Sequence, residues 1–294
     1  MSRGSASALT FFDGLQLPKA ARSPTVVIQP RKSLFDLDLK AVWEYRDLLY
    51  FLVWRDVKVR YKQTAIGAAW AIVQPLLTMV IFTVVFGHFA KIPSEGTPYY
   101  IFAFTALVPW TYFSQAITAS GVSLVGDAKL IQKVYFPRLI VPIAAGAGPL
   151  VDFAIAFLVL VGMIAHAGIA PTWGMMFLPV FLLLEVGTVF AVGLWLSALN
   201  VRYRDVRHTI PFLMQLWMYA SPVAYPLSLV PEQWRLLYSL NPIVGVLEGF
   251  RWALLGTEQP HVGVMLVSAV VVTTVLLSGV VYFRRMERTF ADVV

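Results

Sequence analysis

An α-helical bundle set in a membrane is the fold class this sequence predicts, on three observations. Of its 294 residues 59% are hydrophobic and 13% charged, with mean hydropathy +0.73; a soluble domain carries about a quarter charged residues. Six stretches of 22 to 28 residues carry no charge or a single acid, and about 20 apolar residues suffice to span a bilayer. None of the six alternates in polarity over about ten residues, as strands of a membrane barrel would.

The elements follow in chain order. Residues 1–40 are polar, with Pro18, Pro24 and Pro30 and no apolar run long enough for a signal-peptide core, and read as a cytoplasmic arm. Residues 41–64 contain WEYRDLLYFLVWRDVKVRYK, whose uncharged run Leu48 to Trp54 is too short to span but suits an amphipathic helix at the interface. There Asp56, Lys58, Arg60 and Lys62 recur every second residue, which at about 100° per residue sets them on two opposed faces. One face suits lipid phosphates and the other a soluble partner; a snorkelling membrane anchor accounts for the same residues.

Residues 65–294 form the six-span domain. The spans are Ile66–Gly87, Tyr99–Gly126, Leu139–Ala165 with Asp152, Trp173–Leu199 with Glu185, Thr209–Pro231 and Val262–Phe283. Between spans five and six the chain runs Trp234 to Leu240, breaks at Asn241-Pro242, and continues Ile243 to Leu255. These pieces are too short and charged to span, and read as two short re-entrant helices in the outer leaflet. Trp234 stands in the first; Glu248 and Arg251, one helical turn apart in the second, are able to pair. The three are candidate outer-gate residues.

Charge placement gives the orientation. Arg46, Arg55, Lys58, Arg60, Lys62, Lys129, Lys133, Arg138, Arg202, Arg204, Arg207, Arg284, Arg285 and Arg288 fall on one side, and only Lys91, Arg235 and Arg251 on the other. The positive-inside rule then makes both termini cytoplasmic. This asymmetry absorbs most of the net charge of +7, which leaves nucleic-acid binding without support.

No cysteine is present, so thiolate zinc sites and cysteine catalysis are excluded. The chain holds neither a G-x-x-x-x-G-K-[ST] phosphate loop nor H-E-x-x-H, and its four histidines stand at span ends. Asp152 and Glu185 are either a proton relay or buried hydrogen-bond partners. Trp70, Phe82, Phe86, Trp217, Tyr219 and Tyr225 belong to a set of rings larger than two interfacial belts need. Rings along a passage would stack on sugar faces; packing or lipid contact is the plainer reading.

Several motifs in fixed order carry a family resemblance: RDVKVRYKQTAIGAAWAIVQPLLTMVIFTVVFG (55–87), VPWTYFSQAI (108–117), LIQKVYFPR (130–138), LSALNVRYRDVRH (196–208), SPVAYP (221–226) and LNPIVGVLEGFRWALLG (240–256). From about Trp43 onward the chain resembles the permease subunit of bacterial polysaccharide ABC exporters, type-2 ABC permeases of O-antigen, teichoic-acid or capsule export. The resemblance implies a homodimer in the bacterial inner membrane, joined to two ATP-binding cassette subunits and moving a lipid-linked polysaccharide. No cofactor is implied in this chain; ATP and Mg would sit on the cassette partner. A coupling helix between spans two and three would map to Asp127–Arg138, with Lys133, Tyr135, Phe136, Pro137 and Arg138 as docking candidates. With Asp56, Lys58, Arg60 and Lys62 they form the expected ATPase-coupling set, and the six rings the expected passage wall between two copies. Two other classes stay open on the residues alone: a proton-coupled secondary transporter half using Asp152 and Glu185, and a membrane transferase acting on lipid-linked sugars.

Overall fold

The computed structural model describes residues 39–62, 69–287 and 290. Most of the N-terminal arm, the first residues of span one and Arg288 lie outside them. Every regular element described is helical.

The chain opens with α1 (Leu39–Glu44) and α2 (Arg46–Lys62). Helix α3 (Ala69–Phe82) continues into a π-helical turn, Thr83–Phe89. Helix α4 (Tyr99–Gly126) is followed by the short α5 (Ala128–Lys133). Next come α6 (Ile140–Ala147) and α7 (Leu150–His166), parted at Gly148-Pro149, where proline has no N–H to continue the ladder. A 3-10 turn, Trp173–Phe177, leads into α8 (Leu178–Arg202), and α9 is Val206–Tyr219. After a 3-10 turn, Leu227–Leu229, come α10 (Glu232–Tyr238), α11 (Pro242–Leu255) and α12 (Val262–Glu287).

Four of these helical stretches are long and apolar enough to cross a membrane: Ala69–Phe89, Ile140–His166, Trp173–Arg202 and Val262–Glu287. They correspond to expected spans one, three, four and six. Expected span two is α4, whose 28 residues reach about 42 Å at 1.5 Å per residue. Its tyrosines, Trp110, Gln115 and serines make it less apolar than the four, and its surroundings explain why. Helices α3, α6, α7, α8, α9 and α11 all pack on it, and from Ile101 to Trp110 every residue is buried. Protein, rather than lipid, is what its side chains meet.

Expected span five differs more. The stretch Thr209–Pro231 is helical only to Tyr219, so the 14 residues of α9 reach about 21 Å. Beyond it Pro222 and Pro226 lack the N–H that a continuing helix requires. The two helices expected between spans five and six are present as α10 and α11, and they differ in burial. All of α11 is buried, whereas Trp234, Leu236 and Leu237 of α10 are exposed.

Glycine is what admits α11 to the interior. A Cβ on Gly249 would lie 2.4 Å from two atoms of the Phe181 ring, and one on Gly245 would lie 2.8 Å from Ser268 Oγ. The helix thus touches α8 at Gly249 and α12 at Gly245, both at backbone distance. It ends at Gly256, whose φ of +69° is the left-handed conformation that glycine adopts without a Cβ penalty. Because Phe181 is itself buried, Gly249→Ala has no slack to use. We expect it to cost about 1–3 kcal/mol, the usual penalty for overpacking, read as a lowered thermal midpoint of the detergent-purified protein; an unchanged midpoint would contradict this packing.

Candidate functional site

The two ends of α4 carry the polar contacts that distinguish this bundle. At the Gly126 end, α2 packs on α6 and buries its own Leu52. The Arg55 guanidinium donates two hydrogen bonds to Asp127, each 2.8 Å, and a third to Asp56 at 2.9 Å. Asp127 joins α4 to α5, so this fork ties α2 to the start of α5. The bonds to Asp127, outweighing partial burial, hold the Arg55 pKa well above its usual value. One turn on, Arg60 and the Tyr61 hydroxyl both donate to Asp152 in the first turn of α7. Burial first, and then that carboxylate, push the Tyr61 hydroxyl pKa up.

Of the period-two charges on α2, Arg60, itself exposed, pairs with Asp152, and Asp56 pairs with its neighbour Arg55, while Lys58 and Lys62 are exposed. Lys133, the last residue of α5, and Val134 after it are exposed, and Tyr135 is 62% exposed. Phe136 and Pro137 are buried, Phe136 in a core that also holds Leu52, Leu124, Ile131, Phe283 and Phe290. Arg138 donates to the Glu287 carbonyl and lies over the Phe290 ring, 5.9 Å from its centroid. Of the docking candidates, then, Phe136, Pro137 and Arg138 are turned inward by the need to cover apolar surface beside the C-terminal helix. Lys133 and Tyr135 keep a free face.

At the Tyr99 end, Arg251 is 0% exposed and holds three elements together. It bonds Glu248 at 3.0 Å, donates to the carbonyls of Val223 at 2.9 Å and Tyr225 at 3.2 Å, and sits 3.8 Å from the centroid of Phe102 on α4. Asn241 completes the latch: it accepts from Trp217 Nε1 at 2.8 Å and donates to Ser221 Oγ at 2.9 Å and the Ala220 carbonyl at 3.1 Å. Tyr99 adds a 2.6 Å bond to the Ala224 carbonyl. The segments SPVAYP and LNPIVGVLEGFRW, far apart in sequence character, are thus one hydrogen-bonded unit. Of the three outer-gate candidates, Glu248 and Arg251 lie inside that unit and Trp234 stands exposed on α10. Sequence reading missed Asn241 and Phe102; the Asn-Pro break marked a turn, and nothing local signalled its side-chain bonds.

The six rings separate in the same way. Phe82 is buried edge-on to Phe86, Trp217 stands edge-on to Phe113 while bonded to Asn241, and the Tyr225 hydroxyl bonds that of Tyr238 at 2.7 Å. Only Trp70, 52% exposed, and Tyr219, 55% exposed, present open faces. Packing within the chain claims the other four. Asp152 and Glu185 are not hydrogen-bonded to one another: Asp152 is held by Arg60 and Tyr61, and Glu185 is buried with both carboxylate oxygens unpartnered among the described residues. Nor do three or more acidic or histidine side chains among the described residues come together in a way that would hold a metal ion.

Comparison with known proteins places this architecture. The model of the ABC-2 type transporter family matches residues 47–255, from the start of α2 to the end of α11. The chain is similar to the "O-antigen export system permease protein RfbA" of Myxococcus xanthus, 28% identical over 86% of this chain and 98% of that protein. It is 25% identical to the protein of the same name from Klebsiella pneumoniae, over 84% of this chain and 95% of that one. A "Polysialic acid transport protein KpsM" from Escherichia coli is 21% identical over 68% of this chain and 78% of its own length.

Proposed function

The chain belongs to the ABC-2 type transporter family, and from that premise we propose that it is the membrane subunit of an ATP-driven exporter of a lipid-linked polysaccharide. The observation that carries the reading is its similarity, over nearly their whole length, to proteins named for O-antigen export. The ATP and Mg chemistry then belongs to a separate cassette subunit, because this chain has no phosphate loop. In this reading two copies of the chain join two cassettes in the bacterial inner membrane.

Six crossings fit the same reading: the four apolar stretches, α4 sheathed by its neighbours, and α9 extended by the Ser221–Pro226 segment. Backbone that is not helical is tolerated at membrane depth where protein bonds it, and the carbonyls of Ala220, Val223, Ala224 and Tyr225 all accept from side chains. With α10 and α11 re-entrant from the outer side, both termini are cytoplasmic and residues 1–40 form a cytoplasmic arm. The cassette would meet Lys133, Val134 and Tyr135 and the outward Lys58 and Lys62, with Arg55–Asp127 carrying motion inward. Trp70 and Tyr219 are the rings left to line a passage between two copies, and Trp234 on α10 is the residue left to contact an emerging chain.

The test is genetic and biochemical together. Deleting the gene in its host is expected to abolish the surface glycan and to leave its lipid-linked form inside the cell, with both reversed by re-expression. The purified protein should carry its cassette subunit with it. Normal surface glycan in the deletion strain would overturn the proposal.

A further inference from the structure

Away from α2, six segments line a half-open cavity of about 180 Å³. Glu95 comes from the loop before α4, Glu232 and Arg235 from α10, Glu248 from α11, and Glu258 and His261 from the loop before α12. Part of the wall is held in place. Ser228 Oγ donates to Glu95 at 3.1 Å, Arg235 donates to the carbonyls of Val230 at 3.0 Å and Ser228 at 3.3 Å, and Arg251 holds Glu248 from behind. The side chains of Glu232, Glu258 and His261 have no hydrogen-bond or ion-pair partner among the described residues, and they remain free to meet a ligand.

Chemistry narrows what that ligand is. Ionised carboxylates only accept hydrogen bonds, so a wall rich in them suits a molecule rich in donors. They outnumber the one guanidinium and therefore repel a phosphate or pyrophosphate. A divalent cation needs oxygens converging on one point at about 2.3–2.6 Å, and no such group of three exists among the described residues. The remaining lining is apolar, with Leu227, Leu236 and Val264, a surface for the C–H face of a ring. At about 180 Å³ the space is below the 300–1,000 Å³ of drug-sized pockets, and holds one monosaccharide unit.

We propose that this cavity is an exit-side site for one neutral sugar residue of the exported glycan. The proposal rests on the reading of the chain as a glycan exporter and adds where an emerging sugar is held and by which groups. Hydroxyls of that sugar donate to Glu232, Glu258 and Glu95, while Arg235 and His261 offer the opposite polarity.

The lack of any native cysteine allows a direct test in the full-length protein. Gln259, an exposed residue of the cavity wall, is replaced in Gln259→Cys, and its reaction with a membrane-impermeant maleimide is followed from outside intact spheroplasts. Methyl glycosides of mannose, galactose and N-acetylglucosamine are the probes, with inorganic pyrophosphate and calcium chloride as separate arms. At least one glycoside is expected to slow labelling, by about threefold when present at about twice its Kd. Glu232→Ala with Glu258→Ala, both at exposed positions, should abolish that protection while keeping the size-exclusion profile. Absence of protection by every glycoside, protection by pyrophosphate or calcium instead, protection that survives the double substitution, or labelling only from the cytoplasmic side would each overturn the proposal. If Gln259→Cys still exports glycan in its host while no glycoside protects, this inference alone fails. Loss of the exporter reading would show separately, as normal surface glycan in the deletion strain.

Discussion

Arg251→Ala is expected to be the most damaging single substitution in the chain, lowering stability by roughly 3–5 kcal/mol, the usual cost of removing one member of a buried ion pair. The guanidinium is fully buried, and its loss leaves Glu248 without its cation and the carbonyls of Val223 and Tyr225 without their donors. Its place over the Phe102 ring is a desolvated cation–π contact, which is worth about 2 kcal/mol or more in such settings. The thermal midpoint of the detergent-purified protein should fall by about 10 °C or more. Arg251→Met with Glu248→Leu removes both charges and should recover part of the loss, since the buried carboxylate goes with its partner. The two carbonyls stay unpaired in the double variant, so full recovery is not expected. A midpoint for Arg251→Ala within about 2 °C of wild type would mean that the latch does not hold the bundle together.

Charge reversal at the other end should have its effect on coupling. With Arg55→Glu, three acids (Glu at 55, Asp56 and Asp127) face one another where a fork of hydrogen bonds stood. Both partners are partly exposed, so solvent screens the change and the protein still reaches the membrane. Export driven by ATP is expected to drop by about tenfold or more, equivalent to about 1.4 kcal/mol in coupling, while the cassette continues to hydrolyse ATP. Arg55→Glu combined with Asp127→Arg restores an opposed pair, and export should return toward wild type. Export unaffected by Arg55→Glu, or a double variant no better than the single one, would show that α2 and α5 move independently.

The membrane helices were legible in the sequence because lipid imposes one demand, a run long and apolar enough to cross it, that four of the stretches meet. What surrounds a helix was not legible. Helix α4 and the apolar α12 read as equivalent spans, yet one is wrapped in protein and the other has Leu266, Val270 and Leu277 exposed. Aromatic residues gave the same ambiguity: Phe82 and Trp70 look alike in sequence, and only packing divides a buried ring from an open one. The docking segment LIQKVYFPR shows the reason at its smallest scale. Tyr135 and Phe136 are adjacent, and they follow Val134, where α5 has ended and the backbone is extended, so that neighbouring side chains no longer share a helix face. One meets solvent and the other meets Phe283 and Phe290 in the core. Long-range partners were the least legible, since Arg55 and Asp127 are 72 residues apart and Asn241 meets Ser221 across 20.

The sheathing of α4 sets a hierarchy in time as well as in space. An amide exchanges its hydrogen with solvent only when its own bond opens, and segments with few buried contacts open by local fluctuation. Helix α9, with Phe212, Leu213, Leu216 and Tyr219 exposed, has such routes, as does α10. Helix α4 has none, because every neighbour would have to leave before the stretch from Ile101 to Trp110 met water. Its amides should therefore be the last to take up deuterium and should do so together, at the rate of global unfolding. In the proposed exporter the periphery can then loosen repeatedly while this one helix stays closed until the whole bundle unfolds.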